Sequence, residues 1–262
     1  MKSKNATGEP EKFAAGKKVF LLYPPSVVQD ALLDTLIMNG FEAYTLRDYK
    51  KAFRVMEKFP DSIVFINIDD GMPENEWEVY VKGIQKNART KDIRVGIVSY
   101  NQDRALMEKY LMDIAVPCGY VHLKLSLKES TEIIINALNA NEARGRRQHI
   151  RTYCEEGVRA MLNYNGQFGQ YQGKILDISA AGIAVKMPGF PDLPTNTRLE
   201  GVQIKLHSTM ITADLIIVGK RRDDKAVFIM LFDPHKMDEA TNLSIHHFIK
   251  ENLQHFIDQM AQ

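Results

Sequence analysis

The hydrophobic and polar positions divide the chain into two halves of different periodicity. In the first half, five short apolar runs predict β-strands buried on both faces, and amphipathic segments between them predict helices. Strands that alternate with helices build a parallel sheet that is covered on both faces. Residues 18–143 are therefore predicted to form a five-stranded, doubly wound α/β domain. The predicted strands are 18–23, 41–45, 62–68, 94–99 and 119–123, and the predicted helices are 26–39, 50–58, 77–87, 103–113 and 130–143.

From residue 157 onward the pattern changes to short strands separated by turn sequences. Val202, Ile204 and Leu206 show the alternation of a strand with one buried face. Residues 165–166 (Asn-Gly) and 222–224 (Arg-Asp-Asp) are typical of turns. Six antiparallel strands in so short a stretch close most simply into a barrel, so residues 157–235 are predicted to form an antiparallel β-barrel. The predicted strands are 158–164, 170–178, 182–187, 199–206, 211–219 and 226–232.

The two ends of the chain differ from both domains. Residues 1–17 are polar, lack the apolar core of a signal peptide and are expected to be disordered. Residues 236–262 are predicted to be a C-terminal helix with an apolar stripe formed by Ile245, Phe248, Ile249, Leu253, Phe256 and Met260. This stripe is expected either to close one end of the barrel or to pack against a second copy of the chain in a homodimer.

Composition and charge narrow the class of protein. The chain has 262 residues, of which 45% are hydrophobic and 26% charged, as expected for two globular domains. No run approaches the roughly 18 apolar residues of a membrane span. The net charge of +1 gives no reason to expect binding to a nucleic acid polymer or insertion into a membrane. Cys118 and Cys154 have no metal-like spacing and suit a reducing compartment, so a cytoplasmic location is expected.

Positive charge is concentrated between the two domains. Residues 144–156 are predicted to be an arginine-rich connector, in which Gly145 is expected to break the preceding helix. Four of the first eight residues of this connector are arginines, and the first acidic residue is Glu155. A segment of this kind can be mobile when empty and ordered when a ligand arrives.

The connector and a later strand together form a recognisable pair of motifs. Arg146-Arg147-x-x-x-Arg151 is followed by Asp177-x-Ser179-x-x-Gly182, and this order resembles the signature of the PilZ family, bacterial receptors for cyclic di-GMP. Each motif alone is common, so the specificity comes from their order, their separation and the strand-rich sequence that follows. The resemblance implies a six-stranded PilZ-type barrel. It also implies that cyclic di-GMP is bound by Arg146, Arg147, Arg151, Asp177, Ser179 and Gly182.

These residue types suit a cyclic dinucleotide. Arginine donates two parallel hydrogen bonds to guanine O6 and N7 or to phosphate, and its flat face stacks on a purine. Asp177 can accept from guanine N1–H and N2–H₂, and Ser179 offers a hydroxyl. Gly182 can let the backbone approach the ligand or adopt a positive φ. The alternatives are a solvated linker whose arginines pair with Glu155 and Glu156, and an ordinary turn from Asp177 to Gly182.

The first half resembles the receiver domains of response regulators over roughly residues 17–143. Asp69 begins a D-x-x-M-P sequence after the third strand, Ser99 ends the fourth strand, and Lys124 follows the fifth. The resemblance implies that Asp69 is at the phosphate-accepting position. However, residues 23–25 are Tyr-Pro-Pro where receivers place an acidic pair for Mg²⁺, which needs carboxylate ligands. We therefore expect a degenerate receiver that provides a docking surface or a dimer contact. In the alternative, Asp69 and Asp70 only cap the following loop.

The combined interpretation is a non-enzymatic receptor without cofactor or metal. Cyclic di-GMP is expected to change the interdomain arrangement and so to signal to an unidentified protein partner through the receiver-like domain. The alternatives are an interaction adaptor with a silent PilZ barrel, a phosphorylatable response regulator, and an enzyme. The last lacks support, because the sequence shows no Ser/His/Asp or Cys/His grouping and no phosphate-binding glycine loop. The histidines of the last helix, His246, His247 and His255, have no partners at a metal-ligand spacing.

Overall fold

The computed structural model describes residues 16–26, 29–123, 126–155 and 157–261. They divide into two compact units, of which the first runs to residue 148 and the second spans residues 149–260. Lys124 and nearly all of the segment predicted to be disordered lie outside the described residues. Within the described residues, no helix has both the length and the apolarity needed to cross a lipid bilayer.

The first unit is a five-stranded parallel sheet with helices between its strands, which confirms the predicted α/β fold. The strand order is β2-β1-β3-β4-β5. All five residues of the central strand β3 are buried, as expected for a strand covered on both faces. The elements are β1 (Lys18–Leu22), α1 (Gln29–Met38), β2 (Glu42–Leu46), α2 (Tyr49–Lys58), β3 (Ile63–Asn67), α3 (Glu74–Lys86), β4 (Arg94–Ser99), α4 (Arg104–Glu108) with a π-helical turn (Lys109–Asp113), β5 (Tyr120–His122) and α5 (Leu127–Ala140).

Helix α5 differs from its predicted bounds at both ends. It begins after Ser126, which takes the N-cap position, and it ends at Ala140 instead of Ala143. The Asn141 side chain donates to the Ala137 carbonyl at 2.8 Å, and Glu142 follows with a φ of 53°. A residue in the left-handed region ends the helical path, so the prediction that Gly145 breaks the helix was wrong.

The second unit contains a closed six-stranded antiparallel barrel and a C-terminal helix, as predicted. The strands run in the order β8-β7-β10-β11-β12-β9, and β9 pairs again with β8. A short additional strand, β6, pairs with the end of β8. The elements are β6 (Arg151–Tyr153), β7 (Ala160–Gly166), β8 (Gly169–Ser179), β9 (Gly182–Lys186), β10 (Arg198–Leu206), β11 (Thr209–Lys220), β12 (Val227–Phe232) and α6 (Glu239–Met260).

The barrel core follows the predicted alternation. Val202, Ile204 and Leu206 of β10 are buried, and so are Phe228 and Met230 of β12. Helix α6 packs against β6, β8 and β11 and buries an apolar stripe in which Ile257 takes the place predicted for Phe256. The stripe therefore covers the barrel, which favours the first of the two roles expected for it.

Candidate functional site

A bulge in β8 brings Asp177 out of the barrel core. Ile175 pairs with Val185 and Asp177 pairs with Ala184, so Leu176 is an extra residue between the two pairs. Val185 and Ala184 are consecutive and face opposite sides of the sheet. The bulge therefore lets Ile175 stay in the core while the carboxylate two residues later faces the other way.

Four of the predicted binding residues share the outer face of the barrel. Leu231 is 42% exposed and lies opposite Gly182, which in turn lies opposite Ser179. Ser179 pairs on its other side with Arg151. Directly opposed residues of an antiparallel sheet share a face, and so do residues two apart along one strand. Arg151, Asp177, Ser179 and Gly182 thus lie on the outer side.

The Asp177 carboxylate holds two arginines. It is 1% exposed and pairs with Arg151 (Nη1 to Oδ1, 3.3 Å) and with Arg221 (Nη2 to Oδ2, 2.8 Å). A buried carboxylate is costly unless it is paired, so the two guanidinium groups stabilise it in this position. Their own side chains remain 34% and 35% exposed. Nε of Arg151 is buried and has no hydrogen-bond partner among the described residues.

Arg221 belongs to neither motif, and the sequence analysis missed it. It follows β11, and its backbone N–H donates to the Val227 carbonyl at 2.9 Å. Asp177 lies 44 positions earlier in the chain, and only the closure of the barrel brings the two side chains together. The one sequence signal was an arginine directly after an apolar strand, which is too common to indicate a site.

Ser179 and Gly182 have structural roles of their own. The Ser179 hydroxyl is buried and donates to the Gly182 carbonyl at 3.3 Å. A Cβ added to Gly182 would lie 2.2 Å from the Met230 carbonyl oxygen. The backbone φ of Gly182 is not in the left-handed region, so the suggestion of a positive φ was wrong. The glycine is needed because β12 passes too close for any side chain.

The other connector arginines lie in the first unit. Arg146 and Arg147 are exposed and have no regular secondary structure, so their part in binding stays a prediction. The Arg144 guanidinium lies 5.0 Å from the centroid of the Phe41 ring, which gives it a cation–π contact within its own domain.

Further basic residues lie on the outer face near Asp177. Lys174 of β8 is directly opposite Lys186 of β9, and Lys186 forms an ion pair with Asp224 at 2.8 Å. Like charges in directly opposed positions repel each other, and the ion pair with Asp224 offsets the charge of Lys186.

Cys154, directly after β6, is not a candidate nucleophile. Burial raises the pKa of its thiol to about 12, and the Asp177 charge acts in the same direction. The thiolate is the reactive form of cysteine, and it is scarce at neutral pH when the pKa is so high.

In the receiver-like unit, the structure brings Asp69 and Ser99 together. The Ser99 hydroxyl donates to Asp69 Oδ1, and the backbone N–H of Tyr100 donates to Asp69 Oδ2 at 2.7 Å. Asp69 thus ties the end of β3 to the end of β4. Asp70 accepts from the Gly71 N–H at 2.6 Å, as the loop-cap alternative expects for that residue.

The residues around Asp69 do not fit a magnesium ion. The ring of Tyr23 makes an edge contact with Trp77, with centroids 5.8 Å apart, and lies against Gly71. The next two residues are prolines, so this edge of β1 offers no carboxylate to an octahedral Mg²⁺ shell. In the described part of the chain, no group of three or more His, Cys, Asp or Glu residues could hold a metal ion.

Comparisons with known proteins give structural neighbours of both units. No protein-family model and no curated protein sequence matches the chain. Among solved structures, the PilZ domain of YcgR from Escherichia coli with c-di-GMP is 13% identical and aligns over 44% of this chain and 97% of its own, with a TM-score of 0.34. The K. pneumonia MrkH–c-di-GMP complex is 20% identical over 45% of this chain and 54% of its own, with a TM-score of 0.33.

The receiver-like unit has neighbours of a different class. The phosphorylated cyanobacterial phytochrome response regulator RcpA is 16% identical over 48% of this chain and 93% of its own, with a TM-score of 0.39. Solved PilZ and response-regulator structures are therefore both similar to parts of this chain. The fold of both units is defined by the order and register of their strands.

Proposed function

We propose that this protein is a non-enzymatic receptor for cyclic di-GMP, which binds on the outer face of the barrel. The observation that supports this most directly is that one buried carboxylate holds Arg151 and Arg221, whose side chains are about one-third exposed. The ligand identity comes from the resemblance of the two sequence motifs to the PilZ signature. The proposed binding residues are Arg146, Arg147, Arg151, Asp177, Ser179, Gly182 and, in addition, Arg221.

The chemistry of the ligand matches this arrangement. Cyclic di-GMP presents two phosphodiesters and two guanines, and an arginine fork can bind either group bidentately. Because Asp177 fixes both arginines, little side-chain entropy remains to be lost on binding. We assign Asp177 the role of orienting the arginines, since each of its oxygens already has an arginine partner.

The connector arginines complete the proposed site through chain connectivity. Arg147 precedes Arg151 by four residues, which span at most about 14 Å of extended chain. Its long side chain can therefore reach a ligand that is bound at Arg151. A connector drawn onto the ligand changes the arrangement of the two units, and this change is the proposed signal to a protein partner of the receiver-like domain.

Isothermal titration with cyclic di-GMP tests the proposal, and separate titrations with GTP and cyclic di-AMP are the controls. Selective binding of the guanine dinucleotide supports it. No heat and no thermal stabilisation would overturn it and leave the adaptor with a silent barrel.

Substitution of the two arginines tests the site. Arg151→Ala and Arg221→Ala are each expected to weaken binding at least about tenfold, because a charge-assisted hydrogen bond contributes about 1.5–3 kcal/mol. Arg198→Ala is the matched control, since Arg198 pairs with another buried carboxylate of the same unit, Asp233, at 2.7 Å. It should lower stability similarly and leave the affinity unchanged. Equal losses of affinity in all three variants would contradict the assigned site.

A further inference from the structure

The buried face of α6 contains two polar side chains, Thr241 in its first turn and Asn252 near its middle. Asn252 is 5% exposed and lies between the apolar residues Ile249 and Leu253. A buried amide costs free energy unless it finds hydrogen-bond partners. A leucine would satisfy the packing of this helix, so the asparagine calls for another explanation.

The partners of Asn252 are the two residues that follow Arg151. Its Nδ2 donates to the Thr152 hydroxyl and to the Tyr153 carbonyl, both at 2.7 Å. Thr152 is itself buried, 3% exposed. About a hundred residues of chain separate the helix from this strand, so the contact is purely tertiary.

Strand β6 has few other attachments. It is three residues long and pairs with β8, and with no other strand among the described residues. Just beyond it, the Cys154 N–H donates to the Leu176 carbonyl at 2.8 Å. The position of Arg151 in front of Asp177 is therefore fixed by β8 on one side and by the Asn252 amide on the other.

We propose that Asn252 is a positioning residue for the ligand site and couples α6 to Arg151. This inference rests on the proposed function, because it concerns how Arg151 is held for the ligand. Coupling between two sites is reciprocal. A ligand that fixes Arg151 therefore stabilises the docking of α6, and release of α6 lowers the affinity for the ligand.

Two substitutions test the coupling from its two sides. Asn252→Leu deletes both donors and keeps the helix stripe apolar, and Thr152→Val removes the acceptor hydroxyl with little change of shape. Each is expected to weaken cyclic di-GMP binding about fivefold or more. Gln259→Leu is the matched control, because its amide bonds to His255 on the exposed side of the same helix. It should leave the affinity unchanged.

A double-mutant cycle separates positioning from general destabilisation. On an Arg151→Lys background, which keeps the charge but not the fork, Asn252→Leu should cost clearly less affinity than on the wild type. On an Arg221→Ala background its cost should be undiminished, because Arg221 is not held by β6. Additive losses with Arg151→Lys would overturn the inference.

Hydrogen–deuterium exchange without ligand keeps this test independent of the proposed function. Asn252→Leu should raise exchange at residues 151–154 while the rest of the barrel stays protected. If the wild type does not bind cyclic di-GMP, the proposed function fails, and this exchange still decides whether Asn252 holds β6. Wild-type exchange in the variant would overturn the positioning role.

Discussion

At the scale of single residues, the carboxylate of Asp177 and the backbone of Gly182 have structural roles in addition to the binding roles that their motif predicts. Asp177 is satisfied by two arginines of the protein, and Gly182 accommodates the main chain of β12. Both residues are therefore needed by the folded barrel before any ligand arrives. Loss of binding in a motif variant must accordingly be separated from loss of stability.

Gly182→Ala should destabilise the barrel by about 2 kcal/mol or more, because the new methyl group would overlap the Met230 carbonyl. Urea denaturation measures the change. Gly219→Ala is the matched control, since an added Cβ there meets no atom within 4 Å and its φ is not positive. That variant should be neutral or slightly stabilised. A neutral Gly182→Ala variant would contradict the close approach of β9 and β12.

The two cysteines make stability depend on pH in the alkaline range. Burial raises the pKa of Cys118 to about 11 and that of Cys154 to about 12, from 9.0 for an accessible thiol. Because the folded-state pKa values are raised, this contribution is fully present below about pH 9 and is lost as the pH rises through 11–12. The free energy of unfolding, measured by urea denaturation, should therefore be lower at about pH 10.5 than at about pH 8.

A variant with Cys118→Ala and Cys154→Ala provides the comparison for this pH dependence. Its stability should fall less steeply over the same interval, although buried tyrosines with raised pKa values, such as Tyr80, add a slope of their own. The slopes are compared because the substitutions themselves change the absolute stability. An unchanged slope in the variant would contradict the assignment to the thiols.

At the scale of elements, the edge of the parallel sheet has the outline of a receiver site without its metal ligands. The ends of β3 and β4 bring Asp69 to Ser99, whereas the end of β1 supplies a tyrosine ring. A strand end can keep its position in the sheet when its polar side chains are replaced, because backbone pairing and buried apolar residues hold the strand.

Acetyl phosphate with Mg²⁺ should not phosphorylate the protein. The reaction requires carboxylates that hold the metal, and both oxygens of Asp69 already accept hydrogen bonds from Ser99 and Tyr100. Intact-mass spectrometry detects an added phosphoryl group, and Asp69→Asn is the control. A phosphoryl adduct that appears in the wild type and disappears in the control would restore the response-regulator alternative.

At the scale of the whole molecule, we propose that ligand binding on the barrel changes the arrangement of the two units. Small-angle X-ray scattering should change on addition of cyclic di-GMP, because the ligand draws the connector onto the barrel. The ligand should also stabilise the fold, by about 2.7 kcal/mol when its free concentration is a hundred times Kd.

Arg151→Ala serves as the control for this response, since binding that is about tenfold weaker should reduce the stabilisation to about 1.4 kcal/mol at the same ligand concentration. The scattering change of the variant should be much smaller when the ligand concentration is close to the wild-type Kd. Binding without any change of the scattering profile would separate recognition from the proposed signal. The interdomain part of the proposal would then fail while the site remained.

The sequence determined the architecture because that information is local. The apolar runs of the first half and the alternation of Val202, Ile204 and Leu206 in the second specified a parallel sheet and a barrel, and both are present. Arg151, Asp177 and Ser179 were likewise identified from motif spacing, and the structure places them on one face. Periodicity reports which side of an element is buried, and this is enough to choose a fold class.

Only the tertiary structure decided how the candidate site is held together. Arg221 reaches Asp177 across 44 residues, and Asn252 reaches Thr152 across a hundred. Strand β6 was not predicted because three residues are too few to show the alternation of a β-strand. The need for a glycine at position 182 depends on how closely β12 passes. These features arise when the barrel closes, since closure brings together segments that are far apart in the sequence. The local sequence of one segment does not indicate which other segment it will contact.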